Sequence, residues 1–257
     1  MRSMCIGGLA VTKNEVRSVL PPLVLVHGMW EKRQYWWPWQ LVMASKGMST
    51  IAVDLRGHGE SACTDIGKVR VRDHAEDIDR VLREIGPAII VGHSMGGLVG
   101  QVVASENALV QKLALVATAL PSGIRVLRVR TALRLLRYLP AIALSREFIP
   151  HWKDILVLEL NCLENAERYR NQIEPDSGTV LRETAFGLVR VGRHRCPVWC
   201  AIGKHDRIVP PNGQLALAER LEATVKIYEG GHMLPIESIS REVANDLAEW
   251  ILKHCPD

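Results

Sequence analysis

The chain has 257 residues, of which 47% are hydrophobic, and this predicts one main domain with a sizeable core. The 32 basic and 28 acidic side chains leave a net charge of +4 without a basic stripe over a recognisable motif, so nucleic acid is not an expected partner. No stretch approaches the roughly 20 apolar residues that span a bilayer. The apolar run after Met1 is too short for a signal peptide. A cytoplasmic protein without stable membrane insertion is expected, in an oligomeric state that stays open.

Short apolar runs, each followed by a turn and a helical segment, recur along the chain. Continuous runs rich in Val and Ile are typical of parallel strands that are buried on both faces. Strands are predicted at 23–26, 50–53, 88–91, 113–116, 198–202 and 225–228, and helices at 72–85, 95–105, 214–221 and 240–254. This order predicts an α/β fold with a mostly parallel sheet flanked by helices. Reactive groups are then expected beyond the carboxyl ends of the strands.

The stretch between about Pro121 and Arg190 breaks this pattern. It contains no convincing strand, and its spacing indicates several helices interrupted by prolines. Because it falls between two core strands, we expect a helical cap or lid at 121–190. The α/β core would then comprise residues 1–120 and 191–257.

Six cysteines are scattered along the chain. Only Cys196 and Cys200 are close in sequence, and no further ligands stand nearby at short spacing, so no metal site is predicted. Small side chains buried in a reducing compartment are the favoured interpretation of the six.

The segment Gly92-His93-Ser94-Met95-Gly96 matches the pattern G-x-S-x-G. A predicted strand leads into it and a predicted helix leads out, which is the setting of a nucleophile elbow. Serine is a weak nucleophile at neutral pH and needs a general base. Ser94 is therefore the candidate nucleophile, in need of a histidine and an acid.

His232 is the candidate base, because it follows the last predicted strand and comes last in the order serine, acid, histidine. Asp206, in the loop after the penultimate strand, is the candidate acid that holds the histidine in the correct tautomer. Four other histidines lie in or beside helical segments and are expected to be exposed: His74, His151, His194 and His254.

Acyl transfer also needs N–H donors for the developing oxyanion, and removal of one such donor costs about 2.7–4 kcal/mol. Met95, directly after the nucleophile, offers one backbone N–H. The loop His27-Gly28-Met29-Trp30 follows the first predicted strand, and the N–H of Met29 is the expected second donor.

Five motifs in this order resemble the α/β-hydrolase fold family, whose serine members include esterases, lipases and thioesterases. The matching segments are 27–28 for the oxyanion loop, 54–61 for the D-x-R-G-x-G-x-S turn, 92–97 for the elbow, 203–206 for the acid loop and 231–232 for the histidine loop. The resemblance spans nearly the whole chain apart from the cap. It implies no metal and no organic cofactor.

Candidate substrate contacts are Trp30, His93 and Met233, which lie beside the oxyanion loop, the nucleophile and the base. Trp36, Trp37 and Trp39 begin a helix and are expected to pack against the sheet or cap. Apolar residues alternate with arginines between 124 and 138. This segment is interpreted as a helix packed on the core with a solvated basic face, as a device that attracts anionic substrates, or as a membrane-docking surface.

The leading hypothesis is hydrolysis of an ester, thioester or lactone of a mostly apolar small molecule. One alternative keeps the same triad for a lyase, a C–C bond hydrolase or a cyclisation step. Another is a ligand-sensing receptor, against which a complete triad argues. Fold alone does not decide between these functions.

Overall fold

The computed structural model describes residues 1–124, 133–134, 136–160, 162–164 and 166–254. Most of the arginine-rich segment at 124–138 lies outside the described residues, so its three interpretations stay predictions. Cys255 lies outside them as well. Within the described part of the chain, no helix has the length and apolar character needed to cross a membrane.

An eight-stranded sheet forms the centre of the protein. The strands of the described residues are β1 (Arg2–Ile6), β2 (Leu9–Asn14), β3 (Leu23–Val26), β4 (Thr50–Val53), β5 (Ala88–His93), β6 (Val110–Val116), β7 (Glu147–Phe148), β8 (Asp176–Ser177), β9 (Val198–Gly203) and β10 (Thr224–Tyr228). The order across the sheet is β1-β2-β4-β3-β5-β6-β9-β10. Pairing is parallel from β4 to β10 across the sheet and antiparallel at β1 and β2. The mostly parallel sheet is therefore confirmed.

Helices follow the strands as predicted. The α-helices are α1 (Trp37–Ser45), α2 (Val71–Ile85), α3 (Met95–Glu106), α4 (Leu139–Leu144), α5 (Gly178–Ala185), α6 (Pro211–Arg220) and α7 (Ser240–Lys253). Shorter pieces are 3₁₀ turns at Arg33–Trp36, Ile66–Lys68, Leu136–Tyr138 and Ala166–Gln172, a helical turn at Trp152–Asp154 and a π-helical turn at Ile155–Glu159. The longer helices cover both faces of the sheet.

The sheet separates two apolar layers, because successive side chains of a strand point to opposite faces. From β3, Val24 and Val26 pack with α2 and α3, whereas Leu23 and Leu25 pack with α1 and α7. All four side chains are fully buried. Burial on both faces explains why the central strands are uninterrupted apolar runs.

Two N-terminal strands extend the sheet beyond the predicted set. β1 lies at the edge, and its residues are exposed except for Ile6. It therefore lacks the continuous apolar run by which buried strands are recognised. β2 pairs antiparallel with both β1 and β4, so the antiparallel part of the sheet is confined to this edge.

Three expectations about side chains are wrong. Of the described cysteines, Cys5 and Cys63 are exposed and only Cys200 is buried, so the expectation of buried cysteines fails for most of them. His74 of α2 is fully buried instead of exposed. Trp37 at the start of α1 is 54% exposed, whereas Trp36 and Trp39 are buried and pack edge to face with ring centroids 5.2 Å apart. Residues three apart in a helix share a face, and Trp37 lies on a different one.

The segment between β6 and β9 contains a short antiparallel ladder in which β7 pairs with β8, so the expectation of no strand there is wrong. Its C-terminal part packs on the core. The Ser177 hydroxyl oxygen lies 2.8 and 2.7 Å from the carbonyl oxygens of Gly67 and Val69, which share its one proton, and the Val71 N–H donates to Glu183 at 2.9 Å. The boundaries 121 and 190 stay predictions.

Candidate active site

Ser94 occupies a strained turn between β5 and α3. Its backbone has φ 49° and ψ −119°, a conformation that is costly for a residue with a side chain. The turn brings backbone segments so close that a Cβ on Gly92 would collide with Gly96, and one on Gly96 would collide with the backbone of Val26. Glycine is therefore required at both positions, and the turn points the Ser94 hydroxyl out of the sheet.

A hydrogen-bonded chain joins the three candidate catalytic side chains. Ser94 Oγ lies 2.9 Å from His232 Nε2, and His232 Nδ1 lies 2.9 Å from Asp206 Oδ2. A carboxylate accepts at Nδ1, so the proton is on that nitrogen and Nε2 is left to accept from the serine hydroxyl. Asp206 and His232 are buried, and Ser94 is 9% exposed. The structure thus brings together the residues that were predicted.

The loop after β9 fixes the Asp206 carboxylate. Its Oδ1 accepts from the N–H groups of Ile208 and Val209 at 2.8 and 2.9 Å, and its Oδ2 accepts from the Gln214 amide at 3.0 Å. These bonds fill the positions around the carboxylate that His232 does not use. The orientation of the imidazole is therefore set by the sheet end and by α6.

The loop after β3 leaves the Met29 N–H available for an oxyanion. Gly28 N–H donates to Glu31 Oε2 at 2.9 Å, and Trp30 N–H donates to Asp176 Oδ2 at 3.0 Å. Within the described residues, the intervening Met29 N–H donates to no protein acceptor, and neither does the N–H of Met95. Both residues line the same cavity as Ser94. The arrangement has the donors that acyl transfer needs.

A buried pair, Glu31 and His93, links the oxyanion loop to the histidine loop. His93 Nδ1 lies 2.8 Å from Glu31 Oε1, and His93 Nε2 lies 2.8 Å from the carbonyl oxygen of His232. Because both ring nitrogens face acceptors, the site favours the doubly protonated, charged imidazole. Burial alone lowers the pKa of His93, but the Glu31 carboxylate outweighs it and the net pKa is raised.

The sequence patterns did not reveal this role of Glu31. Burial raises the pKa of its carboxyl, but His93 and the Gly28 N–H outweigh burial and lower it. One carboxylate thereby fixes the turn that presents Met29 and, through His93, the backbone of His232. A glutamate three residues after the glycine of the oxyanion loop was the available signal.

A second buried pair joins the turn 54–61 to the segment between β6 and β9. His58 Nε2 lies 3.1 Å from Asp176 Oδ2, and the same carboxylate oxygen accepts from Trp30 N–H. Burial lowers the pKa of His58, but Asp176 outweighs it and raises the pKa. This contact positions Trp30, whose backbone is left-handed with φ 62°.

A mostly apolar cavity of about 620 Å³ opens above Ser94. Its wall is formed by Met29, Trp30, Ser94, Met95, Ala119, Leu120, Ile124, Arg134, Tyr138, Pro150, Asp154, Ile155, Leu158, Glu159, Leu181, Thr184, Ala185, Phe186, Gly187, Ile208, Val209, Pro210 and His232. A volume of this size suits a small organic molecule. Trp30 lies at the cavity wall as predicted.

Two of the predicted substrate contacts need correction. His93 is fully buried and uses its ring nitrogens on Glu31 and His232. Met233 is buried in an apolar cluster with Tyr35. Neither belongs to the cavity wall, because the loops that carry them turn these side chains inward.

The Met233 backbone still supports the site. The N–H groups of Gly231 and Met233 donate to Glu237 at 2.8 and 3.0 Å. These bonds fix the loop on both sides of His232. Burial raises the pKa of Glu237 despite these two donors.

The family model described as "Alpha/beta hydrolase family" matches residues 23–246. The chain belongs to the alpha/beta hydrolase family. The match includes all three residues of the hydrogen-bonded chain and the segment between β6 and β9.

Curated relatives match at modest identity. The dihydrolipoyllysine-residue acetyltransferase component of the acetoin cleaving system of Pseudomonas putida is 26% identical over 255 residues, which is 91% of this chain and 64% of that protein. An esterase of Mycobacterium tuberculosis is 35% identical over 80 residues, which is 30% of this chain and 26% of that protein. The chain thus spans less than two thirds of the length of these relatives.

Solved structures share the fold over nearly the whole chain. The monoacylglycerol lipase of Paleococcus ferrophilus superposes with a TM-score of 0.74 at 22% identity, covering 96% of this chain and 99% of that one. Likeness at this identity shows the fold and leaves the substrate of this chain open.

Proposed function

We propose that this chain is a serine hydrolase that cleaves a carboxylic ester, thioester or lactone of a mostly apolar small molecule. The observation that carries the proposal is the buried hydrogen-bonded chain from Asp206 through His232 to Ser94. This series of hydrogen bonds ends at Ser94, in the wall of an apolar cavity. The esterase and lipase among the similar proteins support the same class of reaction.

The first half of the reaction forms an acyl-enzyme. Ser94 Oγ attacks the substrate carbonyl carbon while its proton passes to His232 Nε2, and Asp206 stabilises the resulting imidazolium. The carbonyl oxygen becomes an oxyanion that the N–H groups of Met29 and Met95 stabilise. The intermediate then collapses, and the alcohol or thiol leaves with the proton from His232.

The second half releases the acid. Water attacks the acyl carbon and gives a proton to His232, and collapse of the second oxyanion returns that proton to Ser94 Oγ. The same two N–H donors serve both steps. α3 begins at Met95, so the positive end of its helix dipole also faces the oxyanion.

An ester series tests the proposal. We expect p-nitrophenyl esters of neutral medium-chain acids to be cleaved with higher kcat/KM than the acetate, because longer chains fill the apolar cavity. Replacing the nucleophile in Ser94→Ala should lower kcat by about 10⁶-fold, the scale measured for loss of a triad serine. Turnover confined to short, charged esters would contradict the proposal.

Rapid quenching and intact-mass measurement should trap an acyl group on the wild-type enzyme, which a lyase would not accumulate.

A further inference from the structure

Glu159 is a cavity-wall residue that the proposed mechanism does not use. It ends the π-helical turn Ile155–Glu159 and is 5% exposed. It lines the same cavity as Ser94 and His232. A carboxyl group buried at this position needs a physical explanation.

Glu159 has no polar partner among the described residues, which sets it apart from the buried carboxylates around it. Glu31 pairs with His93, Asp176 pairs with His58, and Asp206 has four donors. No described donor or cation bonds to Glu159. An unpaired polar group costs about 1–3 kcal/mol when it is buried.

The other carboxyl and hydroxyl side chains of the described cavity wall, apart from Ser94, are occupied, whereas the Trp30 indole N–H also lacks a protein partner. Asp154 accepts from Arg134 at 2.5 Å and from the Tyr138 hydroxyl at 2.7 Å. Thr184 donates back to the carbonyl of Val180 at 2.9 Å. Apart from Ser94 and His232, Glu159 is the carboxyl or hydroxyl in the described wall that is left to bind a ligand.

The surroundings of Glu159 favour its neutral form. Burial comes first in raising its pKa well above the ordinary value, and the negative charges of Glu31, Asp206 and Asp176 add to the effect. Tyr35, in the 3₁₀ turn Arg33–Trp36, lies near enough to Glu159 for the charge of the glutamate to contribute to the raised pKa of Tyr35. A neutral carboxylic acid can donate one hydrogen bond and accept others.

We propose that Glu159 is a specificity residue that binds, as a neutral acid, an uncharged oxygen function of the substrate such as a ketone. The proposal rests on the esterase function proposed above and narrows its substrate class to apolar esters with a second, uncharged polar group. A cationic substrate is disfavoured. A positive charge in the same cavity would oppose the imidazolium that His232 forms during the reaction.

Matched esters test the proposal. The probes are p-nitrophenyl octanoate and its ketone derivatives, in which the carbonyl is moved one carbon at a time along the acyl chain. We expect one chain position to raise kcat/KM about tenfold over the parent, which is the worth of one additional hydrogen bond. Neighbouring positions should show no gain, because the contact requires one distance from Ser94.

Three variants separate Glu159 from its surroundings. Glu159→Met removes the hydrogen bond while keeping an apolar side chain of similar length, so the ketone-to-parent ratio should fall to about one. Glu159→Gln keeps an N–H donor and should retain most of the ratio. Val157→Ala alters an exposed side chain of the same π-helical turn and should retain the wild-type ratio.

The pH dependence of the same ratio supplies a second readout. Comparing two esters at each pH cancels the titration of the catalytic histidine, which acts on both. Burial raises the pKa of Glu159 well above its ordinary value. The wild-type ratio should therefore fall as pH rises and the donor is lost, whereas the Glu159→Gln ratio should stay constant.

The outcomes distinguish this proposal from the esterase function. Cleavage of the parent ester with identical ketone ratios in wild type and Glu159→Met would overturn the role of Glu159 and leave the esterase standing. A wild-type preference for the ω-amino octanoate ester that Glu159→Gln loses would also overturn it, since that requires an ionised carboxylate. Failure of all esters, with no acyl-enzyme, would overturn the esterase function itself.

Discussion

Buried carboxyl groups are used differently in two regions: the loops at the sheet end, which are the first region, and the segment between β6 and β9, which is the second. In the loops, the carboxylates of Asp206 and Glu31 are paired, and each fixes backbone or an imidazole at 2.8–2.9 Å. In the segment between β6 and β9, Glu159 faces the cavity without a protein partner among the described residues. A fully bonded carboxylate holds one geometry, and a free one is available to a ligand.

The two regions also differ in the secondary structure that carries their functional side chains. Ser94, Asp206 and His232 follow strands of the buried sheet. Glu159 lies in a π-helical turn that follows a three-residue helix, and the nearby α4 has only six residues. Rigid strands fix the chemistry, while short helices can change shape and polarity without disturbing it.

Among the carboxylates of the first region, Asp206 should give the largest effect, in the substitution Asp206→Asn. The amide places N–H donors toward His232 Nδ1 and so favours the wrong tautomer, which costs about 10⁴-fold in kcat in triads of this kind. Steady-state kinetics on a medium-chain p-nitrophenyl ester measure this. Glu229→Gln changes an exposed carboxylate after the next strand and should stay within about twofold of wild type. Near-normal turnover of Asp206→Asn would remove Asp206 from the mechanism.

Glu31→Gln should come next, with kcat lowered by about 10²-fold and KM little changed. Gln still accepts from the Gly28 N–H, but the pKa of His93 falls without the carboxylate and the charged contact to the His232 carbonyl weakens. Displacements of about 1 Å at a reacting group have effects of this size. Glu31 thus acts as a positioning residue through His93.

A matched carboxylate in the second region is the control for Glu31. Glu183 is also buried, and it accepts from Val71 N–H and from Arg70 at 2.9 Å. Glu183→Gln should lower the Tm without lowering kcat below the melting range. Equal losses of kcat in Glu31→Gln and Glu183→Gln would show that Glu31 acts only through stability.

The smallest expected effect concerns the contact between the two regions. His74 packs 6.2 Å from His58, and burial first, then the charge of His58, lowers its pKa from 6.5 to about 3. The unfolded chain therefore binds this proton more tightly, so the free energy of unfolding falls as pH drops from about 6.5 toward about 3.

His74→Leu removes that proton-binding site. The loss of unfolding free energy between pH 7 and pH 5 should shrink by roughly 1–2 kcal/mol, from a slope of about 1.4 kcal/mol per pH unit. Urea unfolding at the two pH values measures the difference. His151→Gln, at an exposed position, is the control with the wild-type dependence. An unchanged difference in His74→Leu would contradict the buried, neutral state of His74.

Much of the first region was predictable from sequence because its signals are local. The G-x-S-x-G elbow, the order of acid and histidine, and the continuous apolar strands each depend on a few adjacent residues. The exposed edge strand β1 carries no such signal. Trp36 and Trp39 are buried and Trp37 is not, because only one face of the helix points to the sheet. The sequence pattern does not show which face that is.

The remaining features depend on tertiary contacts. Glu31 and His93 are 62 residues apart in the sequence and are in contact only because β3 and β5 are neighbours in the sheet. His74 is buried because His58 and Asp176 pack beside it. Glu159 becomes notable only when the cavity is seen to give it no partner. Such contacts have no fixed sequence spacing.

Labelling with a fluorophosphonate probe tests the central claim most directly, because it reports an activated serine without requiring the substrate. Peptide mass spectrometry of the labelled wild-type protein should place one phosphonyl adduct on Ser94, and labelling of His232→Ala should be strongly slowed. Ser94→Ala should take up no probe. Labelling that persists in Ser94→Ala, or an adduct on another residue, would contradict the assignment of Ser94 as the nucleophile.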